Sequence, residues 1–371
     1  MNSFMSDQAV AERVLSHLRD GTTDVGDEVW REPVENYRSE ERFRRELEVL
    51  RQLAVPFCPS AALRAHGSYL AREAAGVPIL AVRGEDGQVR AFRNACRHRG
   101  AEVVSGEGCA KAFVCPYHGW TYQLDGRLHR VPHEYGFPDL DKSSHGLAPV
   151  QVQERSGIVF VTQSPQANGH GPGETLPELI APDQDVIDTH GDVVDVNWKV
   201  SLEGSIEGYH IRFGHRKTFY PYGYDNLNVV ETCGRHSRVT FPFRRIEKLA
   251  DVPEAERCVE GRLTYVYHLF PNALVSVLSR HTNLVVLEPV AVDRTRMVAY
   301  SLTNTGGDPA AAESARRDAE FVNQTGAAED LALVESIQRT IESGANEFFT
   351  FGHFESAIVH FHRNLHAALE E

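Results

Sequence analysis

Cys96-Arg97-His98-Arg99-Gly100 and Cys115-Pro116-Tyr117-His118-Gly119-Trp120 are the two short stretches on which the reading of this chain turns. Each supplies one thiolate and one imidazole from a glycine-bearing loop, and strand-like runs lie on either side. The four donors, Cys96, His98, Cys115 and His118, suit a [2Fe–2S] unit with both thiolates on one iron and both imidazoles on the other. Neutral imidazole in place of anionic sulfur raises the reduction potential of such a cluster above that of the all-cysteine form. A zinc site built from the same residues is the competing reading. Zinc modules usually pair Cys with Cys in one loop and His with His in the other, whereas here each loop carries one of each. Cys109, between the loops, is expected to be a small buried hydrophobe and not a fifth ligand.

Outward from these loops, the chain is long enough for two domains: 371 residues, 42% of them hydrophobic, of which a cluster module would use about a third. Lys plus Arg number 38 against 52 Asp plus Glu, so the net charge of −14 argues against nucleic acid or an anionic membrane surface as the main partner. No apolar run approaches the roughly 20 residues of a membrane span, and the N-terminus lacks a signal-peptide core. Cys58, Cys109, Cys233 and Cys258 are scattered and do not form a disulfide framework. Together these features predict a cytoplasmic protein that does not enter a membrane.

Three segments are expected. Residues 1–55 read as a helical lead-in, with Phe43, Leu47 and Leu50 on one face behind a Ser39 cap, packing on the catalytic domain. Residues 56–163 read as short strands with tight turns, as at 77–82, Asp86-Gly87, 89–93 and Asp125-Gly126. The stretch 163–174, rich in Pro, Gly, Asn and Gln, reads as a linker, and residues 164–371 form the second domain. There, residues 263–269, 273–278, 284–287 and 297–302 look like strands of an antiparallel sheet bracketed by helices.

The second domain carries a further constellation. Glu207 and His210 are spaced to share a helix face, and Gly214 ends the helix so that His215 can turn back toward His210. Two histidines with one carboxylate make the facial triad of non-haem Fe(II) oxygenases. Asp330 falls in register with Val334, Ile337 and Ile341 on an inward stripe, whereas Glu329 projects about one hundred degrees away. A buried acid needs a cation or an Arg beside it, and the helix end could instead fray and leave Asp330 solvated; with the histidine pair present, Asp330 is the expected third ligand.

Here the chain resembles the catalytic α-subunits of Rieske non-haem iron oxygenases. The resemblance rests on the two cluster loops, on Asn197-Trp198-Lys199, on Glu207, His210 and His215, and on Glu329-Asp330, and it runs from about residue 38 onward. It implies an α+β protein: a Rieske β domain plus a helix-grip (START/Bet v1-like) catalytic domain with an antiparallel sheet and long helices. It implies a mononuclear iron on His210, His215 and Asp330, O₂ as cosubstrate, electrons from an NAD(P)H-linked reductase, directly or through a ferredoxin, and a ring-shaped homotrimer. Where Glu207 stands, the family usually carries an Asp that bridges the two centres across a subunit boundary, so Glu207 is expected to reach His118 of a neighbouring subunit. Glu in place of Asp resembles the branch acting on carnitine-like quaternary ammonium compounds.

Three function classes follow. The first is mono- or dioxygenation of an aromatic or related hydrophobic small molecule; the second is hydroxylation or N-dealkylation of an ammonium compound. The third is a non-catalytic Rieske electron carrier. Tyr220, Tyr222 and Tyr224 could cage an ammonium group or flank a planar ring. His353, His360, His362 and His366 match no metal pattern and read as surface or packing residues, beside an apolar stripe of Phe354, Ile358, Phe361 and Leu365 that reads as a docking face.

Overall fold

A computed structural model describes residues 3–164, 176–304 and 306–371, so the expected linker falls almost wholly outside the described residues. Its first residue, Gln163, is buried and donates from Nε2 to the carbonyl of Ala74 at 2.7 Å, so it belongs to the body of the β unit. The chain divides into two units: Leu50–Gly171, and Met1–Val49 together with Pro172–Glu371.

In the first unit a seven-stranded antiparallel sheet runs in the order Val55–Pro59, Ile158–Thr162, Pro149–Arg155, Val89–Arg93, Val77–Arg83, Ser68–Ala74, Gly106–Cys109. A smaller sheet joins Phe113–Val114, Thr121–Tyr122 and Leu128–Arg130. The turn at Asp125-Gly126 requires glycine twice over. Gly126 has φ +85°, and a Cβ there would lie 2.4 Å from the Phe92 ring. The core gathers Leu80, Phe92, Phe113, Trp120 and Tyr122 around Cys96 and Cys115. Cys109 does not join it. It lies at the end of the edge strand Gly106–Cys109, where it is exposed and its thiol donates to the His66 carbonyl at 3.4 Å.

The second unit begins with α1 (Asp7–Asp20), α2 (Glu35–Arg38) and α3 (Glu40–Gln52), the last capped by Ser39, whose Oγ accepts the Arg42 amide at 3.2 Å. The lead-in is not wholly helical. Trp30–Pro33 is a strand paired antiparallel with Phe348–Phe351; Trp30 Nε1 donates to Glu32 on the same strand, and Glu32 meets His366 of the C-terminal helix. The main sheet is antiparallel, in the order Val186–Val194, Arg294–Thr303, His281–Ala291, Ala273–Val277, Leu263–Leu269, His236–Pro242, Val229–Cys233. Against it pack α4 (Trp198–Glu203), α6 (Pro309–Val322) and α8 (Ser356–Glu370), while α5 (Ile211–Gly214) and α4 meet α7 (Ala328–Ile341). This is the α+β, helix-grip layout expected.

Two details anchor the site. Asn197 caps α4, accepting the Lys199 amide at 2.9 Å, and Lys199 Nζ lies 2.8 Å from Glu46 of α3, both side chains 1% exposed. Trp198 Nε1 donates to the same carboxylate at 2.9 Å, so Asn197-Trp198-Lys199 fastens the lead-in to the unit. Losing one partner of such a buried pair costs about 3–5 kcal/mol. The stripe on α8 is also internal: Ile358, Phe361 and Leu365 are buried toward the strands at 229–242, and so are not free for docking. No described helix is long and apolar enough to cross a membrane.

Candidate metal centres

The two cysteine loops are built alike. The amide of Gly100 donates to Cys96 O at 2.8 Å and that of Gly119 to Cys115 O at 3.0 Å. The amides of Cys96 and Cys115 reach Ala101 O and Trp120 O, both at 2.8 Å. Positive φ at Gly100 (+80°) and Gly119 (+74°) lets each loop close on itself. Cys96 and Cys115 are thereby buried while His98 is half-buried and His118 exposed, their Nδ1 atoms 3.1 Å apart. Two ring nitrogens that face each other and two buried free thiols supply the donor types of a mixed Cys₂His₂ cluster. Burial first, then the charges of His118 and Arg99, lower the His98 pKa and favour the neutral ligand form. Two supports brace the loops, Trp120 from within the second motif and Tyr122, which carries no sequence signal. The Tyr122 hydroxyl sits 3.2 Å from Cys96 Sγ and accepts the Arg97 amide at 2.9 Å, and Trp120 stacks on His98 with ring centroids 5.0 Å apart.

In the second unit, His210 Nε2, His215 Nε2 and Asp330 Oδ1 converge, with separations of 3.2, 3.4 and 2.8 Å. The local route differs from the helix expected. Glu207 precedes α5, its carboxylate accepting the amides of Tyr209 and His210, and His210 is the residue immediately before α5. Gly214 is the last residue of α5 and His215 follows it, so a single short turn aims both imidazoles at one point.

Asp330 supplies the acid from α7, at 39% exposure because it faces a cavity and not a sealed core. The inward stripe is correspondingly shorter than expected: Val334 and Ile341 are buried, but Ile337 is 40% exposed. Glu329 does not project away. Its Oε2 lies 2.8 Å from His215 Nδ1 and accepts the Thr218 hydroxyl at 2.5 Å, because its longer arm reaches the opposite edge of the imidazole that Asp330 meets. A π-turn, Asn323–Ala327, joins α6 to α7 immediately before these acids. Gly326 within it makes room for Phe219: a Cβ there would lie 2.0 Å from that ring, which packs 4.7 Å from His215.

The electrostatics ask for a cation. Glu207 holds His210 Nδ1 and Glu329 holds His215 Nδ1, so in the neutral tautomers both Nε2 lone pairs point at Asp330 and at each other. Burial opposes charge on His210, yet the carboxylates of Asp330 and Glu207 override it and lift the imidazole to about 10. His215 is raised against burial in the same way by Asp330 and Glu329. Burial would raise the Asp330 pKa, but hydrogen bonds from both histidines pull it below its ordinary value. Two imidazoles and a carboxylate with these neighbours fit a divalent iron.

The cavity above this face holds about 980 Å³. Phe219, Tyr222, Tyr224, Arg244, Arg245 and Asp318 are among its lining residues. Tyr220 is not. Its ring and that of Tyr224 face the Arg244 guanidinium, at 5.8 and 5.2 Å, so the face expected to meet an ammonium group is already turned to a cation.

Residues 174–371 match the family of ring hydroxylating alpha subunits (catalytic domain), and residues 54–141 match the Rieske [2Fe-2S] domain. The chain belongs to the Rieske non-haem iron oxygenases. As a member it is an oxidoreductase, the oxygenase component of its system, and its cofactors are a Rieske cluster and a non-haem iron. The carnitine monooxygenase oxygenase subunit of Escherichia coli (strain K12) is 27% identical over 91% of this chain and 93% of that protein. The glycine betaine monooxygenase oxygenase subunit of Chromohalobacter salexigens is 38% identical over 41% of this chain, a match spanning 35% of that protein. Among solved folds of the family, the quaternary ammonium monooxygenase CntA with L-carnitine superposes with a TM-score of 0.75 at 22% identity, covering 99% of each chain. Naphthalene 1,2-dioxygenase with indole gives 0.76 at 18% identity over 92% of each.

Proposed function

We infer that this oxygenase hydroxylates or N-dealkylates a quaternary ammonium compound that also bears a carboxylate, of the carnitine or betaine type. The observation that carries this reading is the mixed charge of the cavity wall, where Asp188, Asp192 and Asp318 offer anionic partners for an ammonium group and Arg244 and Arg245 offer cations for a carboxylate. The near full-length similarity to carnitine monooxygenase subunits supports it. In this reading Cys96, His98, Cys115 and His118 hold the cluster and His210, His215 and Asp330 hold the mononuclear iron. When bound, the two centres supply single-electron delivery and activation of O₂.

The residues around them do the positioning. Glu329 and Glu207 fix the ring orientation of His215 and His210. Phe219 closes one side of the iron face against water. The arginines hold the substrate carboxylate, and the carbon to be attacked lies toward Asp330. The protein works as a homotrimer in the cytoplasm, fed by an NAD(P)H-linked reductase, with or without a ferredoxin. Exposed aromatics support the trimer at both ends of the electron path: Tyr117 and Tyr135 in the cluster unit, Tyr209 and Phe213 beside Glu207 and His210. There Glu207 meets the neighbouring subunit's cluster through His118. Glu207→Gln should then keep both metals and slow electron transfer in rapid-mixing experiments; an unchanged rate removes the bridge.

A second reading, oxygenation of an aromatic or related hydrophobic compound, is favoured by Phe219, Phe241, Phe243 and Phe321 in the same wall. A single turnover of the reduced protein with ¹⁸O₂, against carnitine-like amines in one panel and aromatic acids and hydrocarbons in the other, decides between them. Label or dealkylation in the amine panel, weakened by Arg244→Ala, supports the first reading; label only in aromatic products overturns it. No product with about two irons per chain instead of about three leaves an electron carrier.

A further inference from the structure

A second convergence of imidazole and carboxylate lies where the strand Trp30–Pro33 meets α8. His362 and His366 are four apart and share one face of that helix. Glu32 comes to them from the strand, with its side chain fully buried. His366 Nε2 is 3.0 Å from both Glu32 oxygens, and His362 Nδ1 is 3.5 Å from Oε2. One ligand atom from each of the three residues lies within 4.8 Å of the others. The sequence reading of these histidines as surface or packing residues is therefore incomplete, because their partner comes from the other end of the chain.

His362 is the deciding residue. It is fully buried, and its Nε2 lies 2.8 Å from Glu203 Oε1, an oxygen that also accepts the Tyr37 hydroxyl at 2.7 Å. A carboxylate cannot donate, so Nε2 carries the hydrogen and Nδ1 of the neutral ring is a bare lone pair. That Nδ1 has no hydrogen-bond partner among the described residues and is aimed at Glu32. A lone pair facing a buried carboxylate is unfavourable unless positive charge lies between them. Glu32 itself is buried and accepts from Trp30 Nε1 at 2.9 Å and from Asn36 Nδ2 at 2.6 Å. Asn36 and Trp30 use only two of its roughly four lone-pair positions.

The arrangement repeats that of the iron face. Glu203 stands behind His362 as Glu329 stands behind His215, the carboxylate–histidine support of a ligated metal. Ligand atoms bound about 2.0–2.1 Å from a tetrahedral zinc lie roughly 3.3 Å apart, which brackets well with separations of 3.0 and 3.5 Å. His366 is 33% exposed and gives an ion a way in. We propose that Glu32, His362 and His366 form a zinc site, separate from both iron centres, that ties the ribbon of Trp30–Pro33 and Phe348–Phe351 to the C-terminal helix. Two imidazoles and one carboxylate take Zn²⁺ more tightly than Fe²⁺, and a clamp needs no redox chemistry.

The test is equilibrium dialysis of the iron-loaded protein against micromolar ZnCl₂, followed by metal analysis and melting curves, for the wild type, His366→Ala and Glu32→Gln. The wild type should hold about one zinc per chain beyond its irons and melt higher with zinc. His366→Ala, at a partly exposed position, should lose that zinc and the thermal shift while its iron content stays the same. Anomalous scattering at the zinc edge should place the ion between Glu32 and His366. No zinc in the wild type would mean a protonated His362 bridging Glu32 and Glu203, and would overturn the proposal. Equal zinc in wild type and His366→Ala, or a zinc peak at His210, would overturn it as well.

Discussion

The cluster loops and the His210–His215–Asp330 face each bring nitrogen and anionic donors to a point, but by opposite means. Each cluster loop is closed by its own backbone, Gly100 to Cys96 and Gly119 to Cys115, within a few residues. At the other face, the acid and its neighbour come from α7, and Glu329 reaches His215 across 114 residues. The cluster loops therefore carry their geometry with them, whereas the iron face exists only when α5 and α7 are packed together. Its carboxylates also press harder on its histidines, raising both, while His98 is lowered.

The sharpest way to break this comparison is to remove one donor from each side. Asp330→Ala should abolish turnover and drop iron from about three to about two per chain, with the visible spectrum of the cluster intact. Cys115→Ala should do the reverse, losing the cluster spectrum and leaving the catalytic unit folded. Loss of both centres in either variant, by metal analysis and spectroscopy, would show that the two are not independent.

A second effect separates the faces by pH. In iron-free protein His210 is raised to about 10 from an ordinary 6.5, so its stabilising charge is fully present below about 6.5 and lost as pH rises through 10. Melting temperature of the iron-free protein should fall between pH 7 and 10 by more than that of iron-loaded protein, and His210→Gln should flatten the difference. The cluster loops should add to that slope only above about pH 9, where burial, which raises the Cys115 thiol above its ordinary 9.0, opposes its ionisation.

Smaller changes probe the supports. Glu329→Gln should keep iron but weaken its binding about 10–100-fold, measured by competition with a chelator; unchanged affinity would remove its orienting role. Tyr122→Phe removes a hydroxyl from Cys96 Sγ and should lower the reduction potential of the cluster without changing iron content, read by a redox titration followed by electron paramagnetic resonance. An unshifted potential would show that the hydroxyl serves only the Arg97 amide.

Much of the iron face was legible in outline. His210 and His215 stand five apart, and Asp330 heads an apolar stripe, so their types and spacings point to one another. The departures are local: spacing puts Glu207 on a helix, whereas it is an acceptor before one, and turns Glu329 away, whereas it braces His215. One residue of offset on a helix rotates a side chain by about one hundred degrees, and only the position of the imidazole shows that a longer arm makes up the difference. Cys109 was misread for a related reason, since the strand it ends is an edge strand and edges are assigned by pairing.

The sequence by itself determined the chemistry that depends on short range: two self-closing loops with a thiolate and an imidazole each, and a pair of histidines one turn apart. Only the tertiary structure decided that Glu329 joins Asp330 at those histidines, that a cavity lined with both charges lies over them, and that Glu32 meets His362 and His366. The physical reason is reach. A backbone turn places its own donors within a few ångströms whatever surrounds it, but a carboxylate more than a hundred residues away is brought into contact only by the packing of the elements that carry it.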